Sequence, residues 1–323
     1  MTSNPSLDGV LIQWGECLFY PPNRIVSSHT PRLHSASQRA AAIRSRIEAT
    51  VRRAPQAMVK VTGGGRGMIA IAAHLRYISK NGRLDIEDDR GVVERGKDAL
   101  HGIERQWRVG GSLIDRRSPR REAFNIMLSM PRGTDPLTVQ RAAREFAKVE
   151  LADHRYVMVL HDHQANPHVH LSVRAESKQG LRLNPRKADL HRWRETFAER
   201  LREWGIDAEA TPQAVRGSRH RNDRVWARKT GVPRDLRPSK AEELPPGMRK
   251  QALQAWAEIT RGLAASPEAS DRELAKSIGQ YLQRMPAVQA IFRHQAQQRE
   301  LPGMNRSPNF APTPQRRGPE MER

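Results

Sequence analysis

The residues with most chemical capacity stand together at positions 161–170: His161-Asp162-His163-Gln164-Ala165-Asn166-Pro167-His168-Val169-His170. Neutral imidazoles ligate divalent cations, and three of them leave positions open for water or a phosphate oxygen, as in catalytic metal sites. Alternation along a strand puts His168 and His170 on one face while Val169, Leu171 and Val173 turn into a core. His161 ends the preceding apolar strand, and the Asn166-Pro167 turn brings it back beside its neighbours. Asp162 points to the other face of an extended chain, and His163 is an accessory candidate. Nitrogen ligands suit manganese, zinc or nickel by intrinsic affinity, whereas phosphate chemistry in a cell favours Mg2+ or Mn2+. The single cysteine, Cys17, excludes a disulfide framework and any CxxC zinc site, and fits a reducing cytoplasm.

Metal-assisted attack on a phosphodiester also needs a nucleophile. Of the four tyrosines, Tyr156 falls in an apolar strand, Tyr20 in a Pro-rich arm and Tyr281 on an appended helix. Tyr77 is different. It forms an i, i+3 row with His74 and Lys80, beside the apolar stripe Ile71, Leu75 and Ile78. This spacing predicts a phenol anchored at the edge of the core with its hydroxyl in a cleft, where Arg76 and Lys80 attract phosphate.

The elements that must hold these residues read as a mixed α/β pattern. Met58–Thr62 is a strand, residues 63–67 a glycine loop, and Ile69–Lys80 a helix with Asn81-Gly82 as its left-handed cap. Ala123–Met130 is a second strand. Asp135-Pro136 opens a helix with Val139, Ala143, Phe146 and Val149 on one face. Arg155–Leu160 and His168–Ala175 are apolar strands, and Asn184-Pro185 starts a helix that Gly205 ends. The glycine run lacks the Gly-Lys-Ser/Thr of a P-loop, and Met68 stands where a dinucleotide fingerprint wants glycine. It reads as a turn whose amides, with Arg66, meet a phosphate. Asp85, Glu87, Asp88 and Asp89 read as a solvated loop; the alternative is a carboxylate that orients a metal-binding histidine.

Outside this core, residues 1–35 are rich in Pro, Ser and Arg and read as an irregular arm, followed by a helix over residues 36–53. Four stretches follow: a basic N-terminal arm (1–54), a catalytic core (55–215), a basic helical region (216–301) that includes Met248–Leu263, and a disordered tail (302–323). The formal charge is +21 and the sequence pI about 11.2. Self-repulsion of that size disfavours a compact enzyme of small molecules unless a polyanion is the partner, and nucleic acid is the commonest one. A coating protein of nucleic acid fits the composition equally. No run of 18 apolar residues and no basic-then-apolar leader interrupts the chain, so no membrane insertion is expected.

The histidine segment resembles the third motif of conjugative relaxases in the HUH endonuclease superfamily, where two histidines flank a hydrophobic residue. It is most similar to the mobilisation-nuclease branch typified by the T-DNA border endonuclease. His161, Asn166-Pro167, His168 and His170 match that branch, whereas His163 stands where the branch often has aspartate. The resemblance spans roughly residues 55–215. It implies an α+β fold: a central antiparallel sheet flanked by helices, with helical or disordered extensions at both ends. The family's order, with one catalytic tyrosine upstream of the histidines, selects Tyr77. Because some relatives use a histidine nucleophile, His74 is a lesser rival. Ser129 falls where the family has a DNA-contacting serine, and Arg66, Arg76, Lys80 and Arg174 complete the candidate DNA contacts. The implied activity is nicking of a transfer origin through a 5′-phosphotyrosyl link and later religation, beginning conjugative mobilisation in a bacterial cytoplasm. Single-stranded or supercoiled DNA is the implied partner, together with relaxosome accessory proteins and a type IV coupling protein that reads the tail at Arg316, Arg317 and Arg323. The alternatives are a non-catalytic DNA-binding accessory protein with a structural metal, a nuclease that uses water, and a replication initiator of the same superfamily.

Overall fold

Six strands form one antiparallel sheet in the computed structural model, which describes residues 6–20, 35–213, 215–216, 246–285, 288–289 and 292. In chain order they are β1 (Met58–Gly65), β2 (Ile86–Asp88), β3 (Val93–Glu94), β4 (Ala123–Ser129), β5 (His154–His161) and β6 (His168–Ser177). Across the sheet the order is β1-β4-β6-β5-β2-β3, so the two histidine-bearing strands are interior neighbours. The register aligns Met58 with Ser129, Ser129 with His168, and His168 with His161.

Eight described helices complete the chain: α1 (Leu7–Phe19), α2 (Ala36–Val51), α3 (Met68–Ile78), α4 (Lys97–Val109), α5 (Pro136–Glu150), α6 (Lys187–Glu203), α7 (Pro246–Ala264) and α8 (Ala269–Gln283). One sheet face carries Val169, Leu171 and Val173 of β6, packed on Phe146 of α5 and on Trp193 and Phe197 of α6. On the opposite face Val157 and Val159 pack beneath Ile71, Leu75 and Ile78 of α3 and Leu100, Ile103 and Trp107 of α4. Period-2 alternation in β6 thus divides its residues between the two layers. The Asp135 carboxylate accepts from Thr138 N at 2.8 Å with Pro136 following, which fixes the start of α5 as the sequence indicates.

Three local expectations are corrected. The glycine run is strand rather than loop: β1 continues to Gly65 across a bulge between Val61 and Gly63, and the turn shrinks to Arg66-Gly67. β1 lies at the sheet edge, where glycines let the backbone bend and pair closely with β4. Only Gly67, at φ 89°, needs the left-handed region. The acidic run is a strand and hairpin, and each carboxylate has its own cation: Asp85 with Arg95, Glu87 with Arg144, Asp88 with Arg90, and Asp89 with Lys178. None of them orients a histidine.

Residues 7–19 of the expected irregular arm form α1, whose first turn is capped by Ser6 Oγ accepting from Gly9 N at 3.3 Å. Its Leu11, Leu18 and Phe19 share a core with Ile43 and Ile47 of α2, Trp256 and Ile259 of α7 and Ile278 of α8. N- and C-terminal helices therefore build one helical module. It is tied to the sheet domain by Arg46, which bonds Glu195 at 3.1 Å and Glu209 at 3.4 Å, and by His191 Nε2 donating to Phe19 O at 3.1 Å. The tail at 302–323, with Arg316, Arg317 and Arg323, lies outside the described residues.

Candidate metal centre

His168 and His170 leave β6 on the α3 side, and His161 closes β5 directly opposite His168. Their ring centroids lie 4.6–5.0 Å apart. One ligand nitrogen from each lies within 4.8 Å of the other two. All three side chains are buried, at 4%, 6% and 8% exposure. Burial pushes the His161 imidazole below its ordinary value and holds His170 down at about 3, so both are neutral at physiological pH, the ligand form.

Backbone carbonyls orient two of the rings. His161 Nε2 donates to Ile78 O at 2.6 Å, and His168 Nδ1 donates to Asn166 O at 2.9 Å. Each bond fixes a tautomer and leaves the other ring nitrogen with a free lone pair. His161 Nδ1 and His170 Nδ1 are buried with no hydrogen-bond partner. Orphaned buried nitrogens cost of order 1–3 kcal/mol each, and a divalent cation shared by the trio relieves that cost. The residues present therefore fit a metal.

The same Ile78 carbonyl belongs to the last turn of α3, the helix that carries Tyr77. The bond from His161 thus pins this helix end against the histidines and satisfies one of its orphan carbonyls. Tyr77 is 70% exposed rather than anchored in the core edge, and its ring centroid lies 6.4 Å from that of His170. His74 forms a triangle with them, 6.3 Å from His170 and 6.4 Å from Tyr77. Burial lowers His74 to about 4, and its Nε2 is shut from solvent without a partner. The exposed phenol is accessible to a strand; the imidazole nitrogen is not.

The other predicted residues divide by position. Ser129, the register partner of His168, shares its face at the end of β4. Lys80, at φ 51° just beyond α3, acts electrostatically on His161. Arg76 turns away to pair with Glu104 of α4 at 2.9 Å. His163 and Asp162 are exposed in the turn, with the His163 ring 5.1 Å from that of His161. Arg66 and Arg174 lie at the far end of the strands, about 20 Å away at ~3.3 Å per residue along β4. Arg66 donates to Pro119 O at 2.6 Å. Arg174 is buried, with Nη1 on Trp107 O at 2.6 Å and Nη2 on the Ser112 carbonyl. The expected DNA contact at Arg174 is thereby corrected: its guanidinium closes backbone carbonyls.

Sequence reasoning missed Lys60. It is exposed on the edge strand, level with Met127 and, through it, with His170. Alternation from Met58 carried that signal. The partners Ile78 O and Asn166 O left no trace in residue types.

An antiparallel sheet whose interior strands offer a buried histidine trio beneath a tyrosine-bearing helix is suited to metal-assisted attack on a phosphodiester. The family model described as "Relaxase: MobA/VirD2-like, nuclease domain" matches residues 87–206, and the chain carries that catalytic domain. The match spans β2 through α6 with all three histidines and begins after Tyr77. No curated protein matches the chain. Among the described residues no helix is long and apolar enough to cross a membrane.

Proposed function

We propose that this enzyme nicks one DNA strand at a transfer origin by transesterification onto Tyr77 and later reseals it. The observation that carries the reading is the exposed Tyr77 ring 6.4 Å from His170, on the helix whose end His161 holds. His161, His168 and His170 would hold a divalent ion, Mg2+ or Mn2+. When bound, that ion supplies charge withdrawal from a phosphate oxygen. The Tyr77 oxygen forms the new bond to phosphorus as the P–O3′ bond breaks; the phenolic proton is released and the departing 3′ oxygen takes one up. A 5′-phosphotyrosyl link and a free 3′-hydroxyl result. The ester conserves the bond, so a 3′-hydroxyl can reverse the step.

The strand reaches Tyr77 over the part of the sheet that α3 and α4 leave open. Met58 is 41% exposed there, Lys60 is exposed, and Asn125 and Met127 are half-buried. Lys60 and Lys80 supply phosphate contacts on this path, and Ser129 a polar one. A strand on an open face is engaged unpaired, so single-stranded or supercoiled origin DNA is the substrate. Relaxosome proteins and a type IV coupling protein are the partners that this role calls for, and the bacterial cytoplasm its site.

The test incubates the protein with labelled origin oligonucleotides and Mn2+ and resolves the products on a denaturing gel. A protein-linked fragment is expected from wild type and from neither Tyr77→Phe nor His168→Ala. Cutting by Tyr77→Phe without an adduct would favour water as the nucleophile. Binding with no cutting by any form would favour an accessory role.

A further inference from the structure

The helical module contains a positively charged cavity that the nicking chemistry does not use. It has a volume of about 310 Å³ and is lined by Arg53, Arg216, Arg284, Tyr281, Gln56 and Thr50, among others. Arg53 follows the end of α2, Arg216 lies just after the sheet domain, and Arg284 caps α8. Chain segments more than 200 residues apart thus bring three guanidinium groups to one opening.

None of the three forms an ion pair among the described residues. Arg216 donates Nε to Thr211 O at 3.1 Å; Arg53 and Arg284 are exposed at the mouth. Burial, with the charge of nearby Arg194 adding to it and Tyr281 opposing it, pushes Arg216 below its ordinary value. Clustered cations with no carboxylate repel one another, and a bound anion removes that cost. Guanidinium groups match phosphate in a bidentate fork, and the phenol adds a donor. The neighbouring cations contrast with Arg46, half-buried nearby, which has Glu195 and Glu209 as counter-charges.

Position identifies which phosphate. Gln56 lines the cavity two residues before β1 begins, and Met58, the first residue of β1, is aligned through Ser129 with His168. Adjacent strands lie ~4.8 Å apart, so Met58 is about 10 Å from His168 at the histidine end of the sheet. A strand crossing β4 and β1 leaves the sheet at the β1 edge, where the chain runs back from Met58 to Gln56 of the cavity lining.

We infer that the three-arginine cavity holds a backbone phosphate of the DNA strand leaving the nicking face across β1. This rests on the proposed path of DNA over the sheet, but not on Tyr77 chemistry. A second anchor at that distance would hold the strand in the cleft while its ends are separated.

The test measures fluorescence anisotropy with labelled dT3 and dT30 at several salt concentrations, for the full chain and for Arg53→Asn/Arg284→Gln. Asparagine tolerates the φ of 60° at position 53. The control is Arg52→Gln/Arg261→Gln, which removes the same charge from arginines paired with Asp207 and Glu258. Expected is a loss of about 10-fold for dT30 with dT3, too short to span from the nicking face to the cavity, unchanged. The dT30 salt slope should fall by about 0.7, the value for one phosphate contact on a single strand. Equal weakening of both lengths, a matching loss in the control, or no loss would each overturn the inference. So would a drop in melting temperature with unchanged dT30 affinity, since that marks arginines serving only the two helix ends. Inorganic phosphate is titrated calorimetrically in parallel. If the variant loses phosphate binding but keeps its dT30 affinity, the site takes a free ion and not DNA. Should wild type form no tyrosyl adduct, the nicking proposal fails while the length dependence still decides this one.

Discussion

One face of β6 carries two buried polar clusters, and they are built in opposite ways. At one end the trio of His161, His168 and His170 leaves the Nδ1 atoms of His161 and His170 buried and unpartnered. At the other, Arg174 is equally buried but reaches Trp107 O, Ser112 O and Ser112 Oγ. The same strand and the same face thus hold one cluster that the protein completes and one that it leaves incomplete. A buried polar group that serves structure is satisfied by its neighbours, and one that awaits a ligand is not. The difference separates function from architecture more sharply than residue type does, because arginine was the better candidate for phosphate by composition.

The largest effect that sharpens this contrast is expected at the histidine end. Tyr77→Phe should reduce the covalent adduct by more than about 1,000-fold, consistent with removal of a nucleophile, while the exposed ring makes the change neutral for folding. Retention of the adduct would break the assignment, and a denaturing gel reads it directly. Next, His170→Ala should weaken Mn2+ binding by more than about 100-fold, since outer partners of metal ligands alone cost 10–100-fold. Without metal its urea stability should move by less than about 1 kcal/mol, because the lost nitrogen had no partner. Calorimetry with Mn2+ and urea melts check the two halves.

Arg174→Met should do the reverse, with urea stability lower by roughly 2–4 kcal/mol because it strands backbone carbonyls. Metal affinity of the folded fraction should stay the same; a selective loss of DNA binding with normal stability would restore the role first expected of it. The smallest effect is at His154, also at the arginine end, which donates Nδ1 to Arg174 O at 2.9 Å. Burial lowers its folded-state value below 6.5, with that bond and Asp153 opposing. The unfolded chain then binds the extra proton, so this contribution is complete above pH 6.5 and is lost as pH falls through the lowered value. His154→Gln should flatten the decline of melting temperature below pH 6.5, and an unchanged slope would exclude His154 as its source.

Much of the catalytic region was legible. The strands around positions 58, 123, 155 and 168 and the helices after Pro136 and Pro185 followed from local periodicity and capping. Other parts were not. Helix α1 was hidden because its Pro- and Arg-rich flanks dominated the composition. Leu100, Ile103 and Trp107 carry a helical stripe for α4, yet its start is an uncapped glycine that gives no signal. The glycine run looked like a loop because edge strands tolerate residues that interior strands reject.

The sequence by itself determined that His168 and His170 share a face and that His161 returns beside them, since strand alternation and a short turn are properties of the local backbone. Tertiary structure decided the remainder. It chose which helix covers those rings, gave His161 the Ile78 carbonyl, sent Arg174 inward and Tyr77 outward, and gathered Arg53, Arg216 and Arg284 around one cavity. These outcomes depend on contacts between segments far apart in the chain, where the energy of packing layers against one another outweighs any preference written in neighbouring residues.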